Sequence, residues 1–307
     1  MSANPEPGIV KTAIVTGAAG GLGLRMSELL SATGHRVIMA DVDIEGCRVE
    51  AERLSDDGGE TEALFLDLAD LRSVEEFASR FESKEPVLHL LVNNAGVMCP
   101  PMGRTAQGYE LQWGVNHLGH FALTGHLLST LARTPDSRVV TQTSIVHDTA
   151  DINLDNLDSR VDHDPWKAYK QSKLAVLLFS LELQRRLDHH LLDHPLSVAC
   201  HPGLVDTGLY RNSRLMRLFL KPFMHGLDAG AAPAMVAATC QDIRGGDLIG
   251  PDGWRGFKGA PKKCEPLGRG GDLTLASKVW NISKEMTGID MDSILEDISV
   301  MTSDHIR

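Results

Sequence analysis

Tyr169 and Lys173 stand four residues apart in the run Tyr-Lys-Gln-Ser-Lys, a spacing that puts both side chains on one face of a helix. An ammonium beside a phenol stabilises the phenolate. The pair can then move a proton near neutral pH, which a free phenol with a pKa of about 10 does poorly. A Tyr and a Lys on an exposed helix would mean little alone. Ser144 follows the apolar run Arg138–Gln142, and Asn93-Asn94-Ala95-Gly96 ends another, His89–Val92. If both runs are strands, these polar groups lie at the carboxyl edge of a sheet, where open α/β sheets bind ligands.

A second chemistry-bearing segment is Thr16-Gly17-Ala18-Ala19-Gly20-Gly21-Leu22-Gly23. It follows the apolar run Thr12–Val15 and precedes a helical pattern. Glycines allow a tight strand-to-helix turn and a close approach of backbone to a pyrophosphate. The helix start then offers N–H groups and a positive dipole end to the phosphates. Asp41 closes the next apolar run, about 20 residues beyond Gly21, where a carboxylate can bond ribose hydroxyls and repel a 2′-phosphate. No Arg or Lys lies in the glycine turn or just after Asp41. Asp43 is the weaker rival for that role, and a strand-end turn is the plain structural alternative.

These residues need a scaffold that brings strand ends together. Six short apolar runs supply it: Thr12–Val15, Arg36–Ala40, Ala63–Leu66, His89–Val92, Arg138–Gln142 and Leu196–Cys200. They alternate with helical patterns near 22–33, 44–55, 71–83, 107–132, 167–188 and 228–240. The alternation predicts an α/β fold, a doubly wound parallel sheet of order 3-2-1-4-5-6, with a seventh strand near Leu248 and helices on both faces. No repeat or linker divides the chain, so residues 1–307 read as one dinucleotide-binding catalytic domain. Residues 245–271, rich in Gly and Pro, read as loop. Residues 272–288 and 291–301 read as helices, the latter in a C-terminal extension at about 289–307.

The bulk numbers narrow the partners. A net charge of −11 argues against nucleic acid, which needs a basic face. No apolar run reaches the roughly 18 residues of a membrane span, and the first residues lack the pattern of a secretory signal. The five cysteines are widely spaced with no Cys-x-x-Cys pair, so neither a metal site nor a disulfide framework is expected. A cytoplasmic location follows as the simple expectation. His117 and His120, three apart, read as packing rather than metal ligands. His147 is a candidate to reach the active site, and the acidic stretch Asp148–Trp166 reads as a solvated loop.

Taken together, TGAAGGLG, Asp67-Leu68, NNAG, Asn116, Ser144, YKQSK and Pro202-Gly203-Leu204-Val205-Asp206-Thr207 occur in the order of the short-chain dehydrogenase/reductase family, which the chain resembles over nearly its whole length. The runs NNAGVM, VNHLGHFALT and YKQSKLA look most like the branch of retinol dehydrogenases and protochlorophyllide reductases. The resemblance implies that Tyr169 is the acid/base, that Lys173 lowers its pKa and bonds the nicotinamide ribose, and that Ser144 orients the substrate oxygen. It implies that Asn116 holds a water linking Lys173 to solvent. Gly17, Gly20, Gly21, Leu22 and Gly23 would hold the pyrophosphate and Asp41 the ribose. Asp67 and Leu68 would flank the adenine, and Asn94, Ala95 and Gly96 the adenosine ribose. Pro202, Gly203, Val205 and Thr207 would hold the carboxamide. Ser144 and Tyr169 lie about 25 residues apart, roughly twice the spacing of simple members. That insert could cover the pocket or disturb a helix-pair dimer surface, so a homodimer or homotetramer is an open expectation.

The implied function is hydride transfer between NAD and a secondary alcohol or ketone. Residues 208–226 carry Leu209, Tyr210, Leu215, Met216, Leu218, Phe219, Phe223 and Met224 among basic residues. They read as part of an amphipathic substrate lid at about 204–226, which makes the substrate bulky and apolar. The alternatives are packing of that face on the core or on another subunit, a dinucleotide-binding regulator without chemistry, an NADPH-dependent pigment reductase, and a retinoid enzyme lying on a membrane surface.

Overall fold

A computed structural model describes residues 10–205 and 224–304. Strand β1 (Thr12–Thr16) is buried throughout and pairs in parallel with β2 (Arg36–Asp41) on one side and β4 (Leu90–Asn93) on the other. β3 (Glu60–Phe65) lies beyond β2. β5 (Arg138–Gln142), β6 (Leu196–Cys200) and β7 (Leu248–Pro251) follow beyond β4, and β8 (Pro261–Cys264) runs antiparallel at the edge. The order is 3-2-1-4-5-6-7-8: the expected doubly wound sheet with one further strand. From β1 the chain winds outward to β3, then restarts at β4 on the other flank. That reversal opens a crevice at the carboxyl ends of β1 and β4.

Side-chain alternation fills both faces. Ile14, Ile38, Leu91 and Val139 point into one buried layer, while Ala13, Val15, Val37, Met39, Leu90, Val92 and Val140 point into the other. Helices α1 (Gly21–Ala32), α2 (Ile44–Asp56) and α6 (Leu227–Thr239) cover the second layer with Met26, Leu30, Leu54, Ala234 and Ala237. Helices α3 (Leu71–Glu82), α4 (Gly119–Arg133) and α5 (Pro165–His189) cover the first with Phe77, Phe81, Phe121, Leu127, Phe179 and Leu183. Their starts are chemically set. Asp70 accepts from Arg72 N–H, and Asp164 accepts from the N–H groups of Trp166 and Lys167 with Pro165 as the first helical residue, the arrangement that satisfies a helix's unpaired donors.

Two C-terminal helices, α7 (Leu273–Thr287) and α8 (Met291–Asp304), form a further layer on α4 and α5. Trp280 is buried there. Its ring meets Phe121 edge-on at 5.3 Å and stacks on Phe179 at 6.0 Å, with the Arg186 guanidinium 4.5 Å from its centre. Met291, Leu295 and Ile298 continue the same core. Gly125 on α4 has no room for a side chain, because a Cβ would lie 2.3 Å from Ile289 Cγ2.

Four expectations need correction. The helix expected over 107–132 begins as a π-helical turn, Trp113–Leu118, and only then becomes α4. The expected strand Ala63–Leu66 is displaced to Glu60–Phe65, because the polar Glu60-Thr-Glu run pairs with Arg36–Ile38 of β2. The supposed loop 245–271 contains the β7–β8 pair, in which Leu248 stands opposite Cys264 and Pro251 opposite Pro261. The acidic stretch 148–166 is more than a solvated loop: Ala150, Ile152 and Leu157 are buried against Trp113, Leu118, Leu174 and Leu275.

Because the C-terminal layer shares the core, Trp280→Ala should lower the unfolding free energy by about 3–5 kcal/mol, as for other large buried aromatics. Urea denaturation measures this. A loss below about 1 kcal/mol would show that α7 and α8 merely rest on the surface.

Candidate active site

The glycine turn from β1 to α1 is built by close approach. Gly17 adopts φ +69°, and a Cβ there would lie 2.9 Å from Ala95 Cα; one on Gly23 would lie 2.0 Å from the Gly17 carbonyl oxygen. Gly20 and Gly21 are different. They are exposed with open space in front of them, and Gly20 begins α1 with no side-chain cap. An uncapped helix start behind an open backbone turn is what an incoming phosphate needs, so these residues fit a dinucleotide. Leu22 is buried beneath the turn.

Asp41 closes β2 beside that turn. One carboxylate oxygen accepts from Ala19 N–H and the other from Asp43 N–H, both at 2.9 Å. It therefore orders the turn and presents its charge next to it. Asp43, the rival, is spent as the cap of α2, accepting from Gly46 N–H. Asp67 likewise caps its own turn through Ala69 N–H, and Leu68 lies buried with its carbonyl against Gly119.

Polar side chains join the strand ends across the crevice. Asn94 donates to the Thr16 carbonyl at 2.7 Å, and Gln142 donates to the Asn94 side-chain oxygen at 2.9 Å. The Gln142 carbonyl accepts from Lys173 Nζ at 3.0 Å, while Thr143 Oγ1 donates to the Lys173 carbonyl at 2.7 Å. The ends of β1, β4 and β5 are thus linked to one turn of α5. Gly96 lies against this centre, where a Cβ would stand 3.2 Å from Asn116 Oδ1 and 3.4 Å from Lys173 Nζ. Asn116, in the π-helical turn, accepts from Val97 N–H at 2.8 Å and donates to the Val97 carbonyl and to Ser172 Oγ. Ser172 in turn donates to the Tyr169 carbonyl. Tyr169 is 4% exposed, one helical turn before Lys173, with its ring 5.7 Å from that of Trp166.

Lys173 is fully enclosed. Desolvation pulls its ammonium down to about 8 from 10.5, opposed slightly by the Cys200 thiol. Ser144 begins a short 3-10 turn directly after β5. Its carbonyl accepts from the His147 ring Nδ1 at 2.6 Å, and His147 Nε2 lies 2.9 Å from the Asp148 carboxylate. His147 therefore sits behind Ser144 and bonds its backbone. Burial pushes its imidazole down and the Asp148 carboxyl up.

After β6, Pro202, Gly203, Leu204 and Val205 return to the crevice. Gly203 has φ +71°, and a Cβ there would meet the Phe257 carbonyl oxygen at 2.4 Å. That same oxygen accepts from Leu204 N–H. Thr207 and residues 206–223 of the expected lid lie outside the described residues. Beyond them, His225 rejoins by bonding the Pro202 carbonyl at 2.7 Å.

Four contributors were missed from sequence: Thr16, Gln142, Thr143 and His120. The first three stand at strand ends where a buried apolar residue would be routine, and that misplaced polarity was the available clue. His117 and His120 are both buried. Among the described residues, no group of three or more His, Cys, Asp or Glu is placed to hold a metal.

Residues 11–217 match the family described as short chain dehydrogenase. The chain belongs to that family. Within it, the chain lies in the retinol dehydrogenase-like branch. Polyprenol dehydrogenase of Danio rerio is 38% identical over 292 residues, covering 91% of this chain and 87% of that protein. Retinol dehydrogenase 11 of Homo sapiens is 33% identical over 284 residues, covering 92% and 87%. Among solved structures, an uncharacterized protein from Mycobacterium Paratuberculosis is 36% identical with a TM-score of 0.78, covering 92% of this chain and 94% of that one. The Pseudomonas aeruginosa RhlG/NADP active-site complex, at 24% identity and a TM-score of 0.63, covers 78% of this chain and 93% of that one and shares the fold. That family is one of oxidoreductases.

The depressed Lys173 has a consequence for this dehydrogenase's stability. Between pH 8 and 10.5 the unfolded chain holds a proton that the folded chain has released, so stability from this group rises with pH over that window. Below pH 8 the full penalty applies, on the order of 3 kcal/mol. Lys173→Met should therefore be more stable than wild type at pH 7, after losing a hydrogen bond of about 1 kcal/mol. The gain should fade by pH 10.5. Urea unfolding across pH 7–10.5 reads the difference; a gap that does not change with pH would show that burial does not strain this ammonium.

Proposed function

We propose that this protein transfers a hydride between NAD and a bulky, apolar alcohol or its carbonyl partner. The observation that carries the reading is Lys173: an ammonium enclosed in the protein, one helical turn from Tyr169, beside Gly96 and Asn116 at the crevice. A regulator that bound dinucleotide without turnover would gain nothing from that burial. A bound nicotinamide would supply or accept the hydride. Tyr169 gives or takes the proton on the reacting oxygen, and Lys173 stabilises its phenolate. Ser144 orients the substrate oxygen. Asn116 holds residue 97 and the Tyr169–Lys173 helix in register through Val97 and Ser172.

The preference for NAD rests on Asp41, whose charge faces the glycine turn with no basic residue in the segment 40–47 to offset it. Gly20, Gly21 and the start of α1 would take the pyrophosphate, and the Pro202–Val205 backbone with Thr207 the carboxamide. The apolar substrate is supported by the amphipathic sequence at 208–226 and by the names of the relatives, since retinol and polyprenol are both bulky apolar alcohols. Those are primary alcohols, so the proposed class is wider than secondary alcohols and ketones. A cytoplasmic location belongs to the same reading and rests on sequence alone. No helix among the described residues is long and apolar enough to cross a membrane.

Two measurements test the proposal. With a panel of apolar alcohols, turnover with NAD should exceed that with NADP, and Asp41→Asn should narrow the gap; an equal or better rate with NADP in the native protein would reject the cofactor assignment. Tyr169→Phe should cut turnover by at least about 100-fold while NAD binding, followed by calorimetry, stays near wild type. A Phe variant keeping half its activity would move the acid/base elsewhere.

A further inference from the structure

His120, on the first turn of α4, is buried between the glycine turn and the π-helical turn. Its Nδ1 lies 2.9 Å from the Asn116 carbonyl oxygen and its Nε2 lies 2.9 Å from Thr16 Oγ1. A carbonyl only accepts, so Nδ1 carries the hydrogen. In a neutral ring Nε2 is then an acceptor, and the single Thr16 hydroxyl proton has two acceptors in reach, Nε2 at 2.9 Å and the Val92 carbonyl at 3.3 Å; the shorter contact directs it to the ring. With its own proton so directed, Thr16 oxygen is left to accept from Asn94 N–H at 2.9 Å and Ala95 N–H at 3.0 Å. Burial pulls the His120 imidazole down to about 4, with Lys173 adding to the effect, so the neutral form holds at ordinary pH.

Segment 94–97 therefore has two clamps. Thr16 holds its start and the Asn116 side chain holds its end at Val97. Gly96, between the clamps, faces Lys173. His120 is bonded to both clamping residues at once.

We infer that His120 is a positioning residue that couples the dinucleotide seat to the catalytic centre, bonding the cofactor turn through Thr16 and the Asn116–Lys173 side through the Asn116 carbonyl. The inference rests on the dehydrogenase reading above. Its two arms separate by substitution. An Asn side chain places a donor where Nδ1 stands, and a Gln side chain can place an acceptor where Nε2 stands. His120→Asn should keep kcat within about threefold of wild type and weaken NAD binding about tenfold. His120→Gln should keep NAD binding and lower kcat about tenfold, the size expected when one buried hydrogen-bonding group loses its partner. His120→Leu should lose both. Thr16→Val, which spares the ring, should reproduce the weaker NAD binding of His120→Asn.

The experiment is NAD calorimetry on all variants, with kcat measured at saturating NAD on the best alcohol of an apolar panel and melting temperature recorded throughout. Opposite defects in the Asn and Gln variants establish the coupling. Equal losses of binding and turnover in all variants, in step with the fall in melting temperature, would reduce His120 to core packing and overturn the inference. So would unchanged binding and turnover. Should any His120 variant fail to fold, Thr16→Val decides: unchanged NAD affinity there overturns the inference. Failure of the underlying reading looks different, because wild type itself would then neither bind nor turn over a nicotinamide dinucleotide.

Discussion

An ammonium taken out of water is the constraint around which this site is arranged. Lys173 has the Gln142 carbonyl as a hydrogen-bond partner and a glycine as its near neighbour. A charge so enclosed is held against its own solvation, and it stays in place because the fold around it is rigid. α5 is long and capped at its start, and the lysine's backbone is bonded by Thr143 from the end of β5. The same α5 turn carries Tyr169. The burial that makes the lysine easier to deprotonate also shields the field it exerts on its neighbour from water.

The doubly wound sheet delivers that arrangement through its edge. Successive parallel strands end on one side, and here the ends of β1, β4 and β5 are joined by Thr16, Asn94 and Gln142. These side chains satisfy one another's polar groups where the ladder stops. Gly20 and Gly21 stand as bare backbone with open space before them, and Gly96 as bare backbone beside Asn116 and Lys173. Glycine at 17, 23 and 203 has another origin: neighbouring backbone already occupies the volume a Cβ would need.

Much of this was legible in the chain because its cues are local. Runs such as Thr12–Val15 and Leu196–Cys200 are apolar on both faces, as strands covered on each side must be. The glycine turn, the Tyr169–Lys173 pair and the NNAG run are contiguous. β8 was hidden because Pro261-Lys-Lys-Cys264 is polar and begins with proline, which suits an edge strand and mimics a loop. The π-helical turn was hidden because Trp113–Leu118 differs from an α-helix only in where its hydrogen bonds fall. The polar links were hidden because they join distant positions: Asn94 meets Thr16 across 78 residues and Gln142 across 48. A histidine three residues from another gave no sign of bonding both the end of β1, at Thr16, and the π-helical turn, at Asn116.

The layer formed by α7 and α8 has a consequence for how the protein is made. Phe121 and Phe179 are finished by Trp280, Met291 and Leu295. A ribosome adds about 100 residues between Phe179 and Trp280, on the order of 5–20 s of synthesis. During that interval β1–β5 are already made and β6–β8 are being added, yet the outer faces of α4 and α5 stay wet and aromatic. The half-made chain thus shows solvent a surface that its finished form hides, and its greatest exposure to aggregation falls during translation rather than after it.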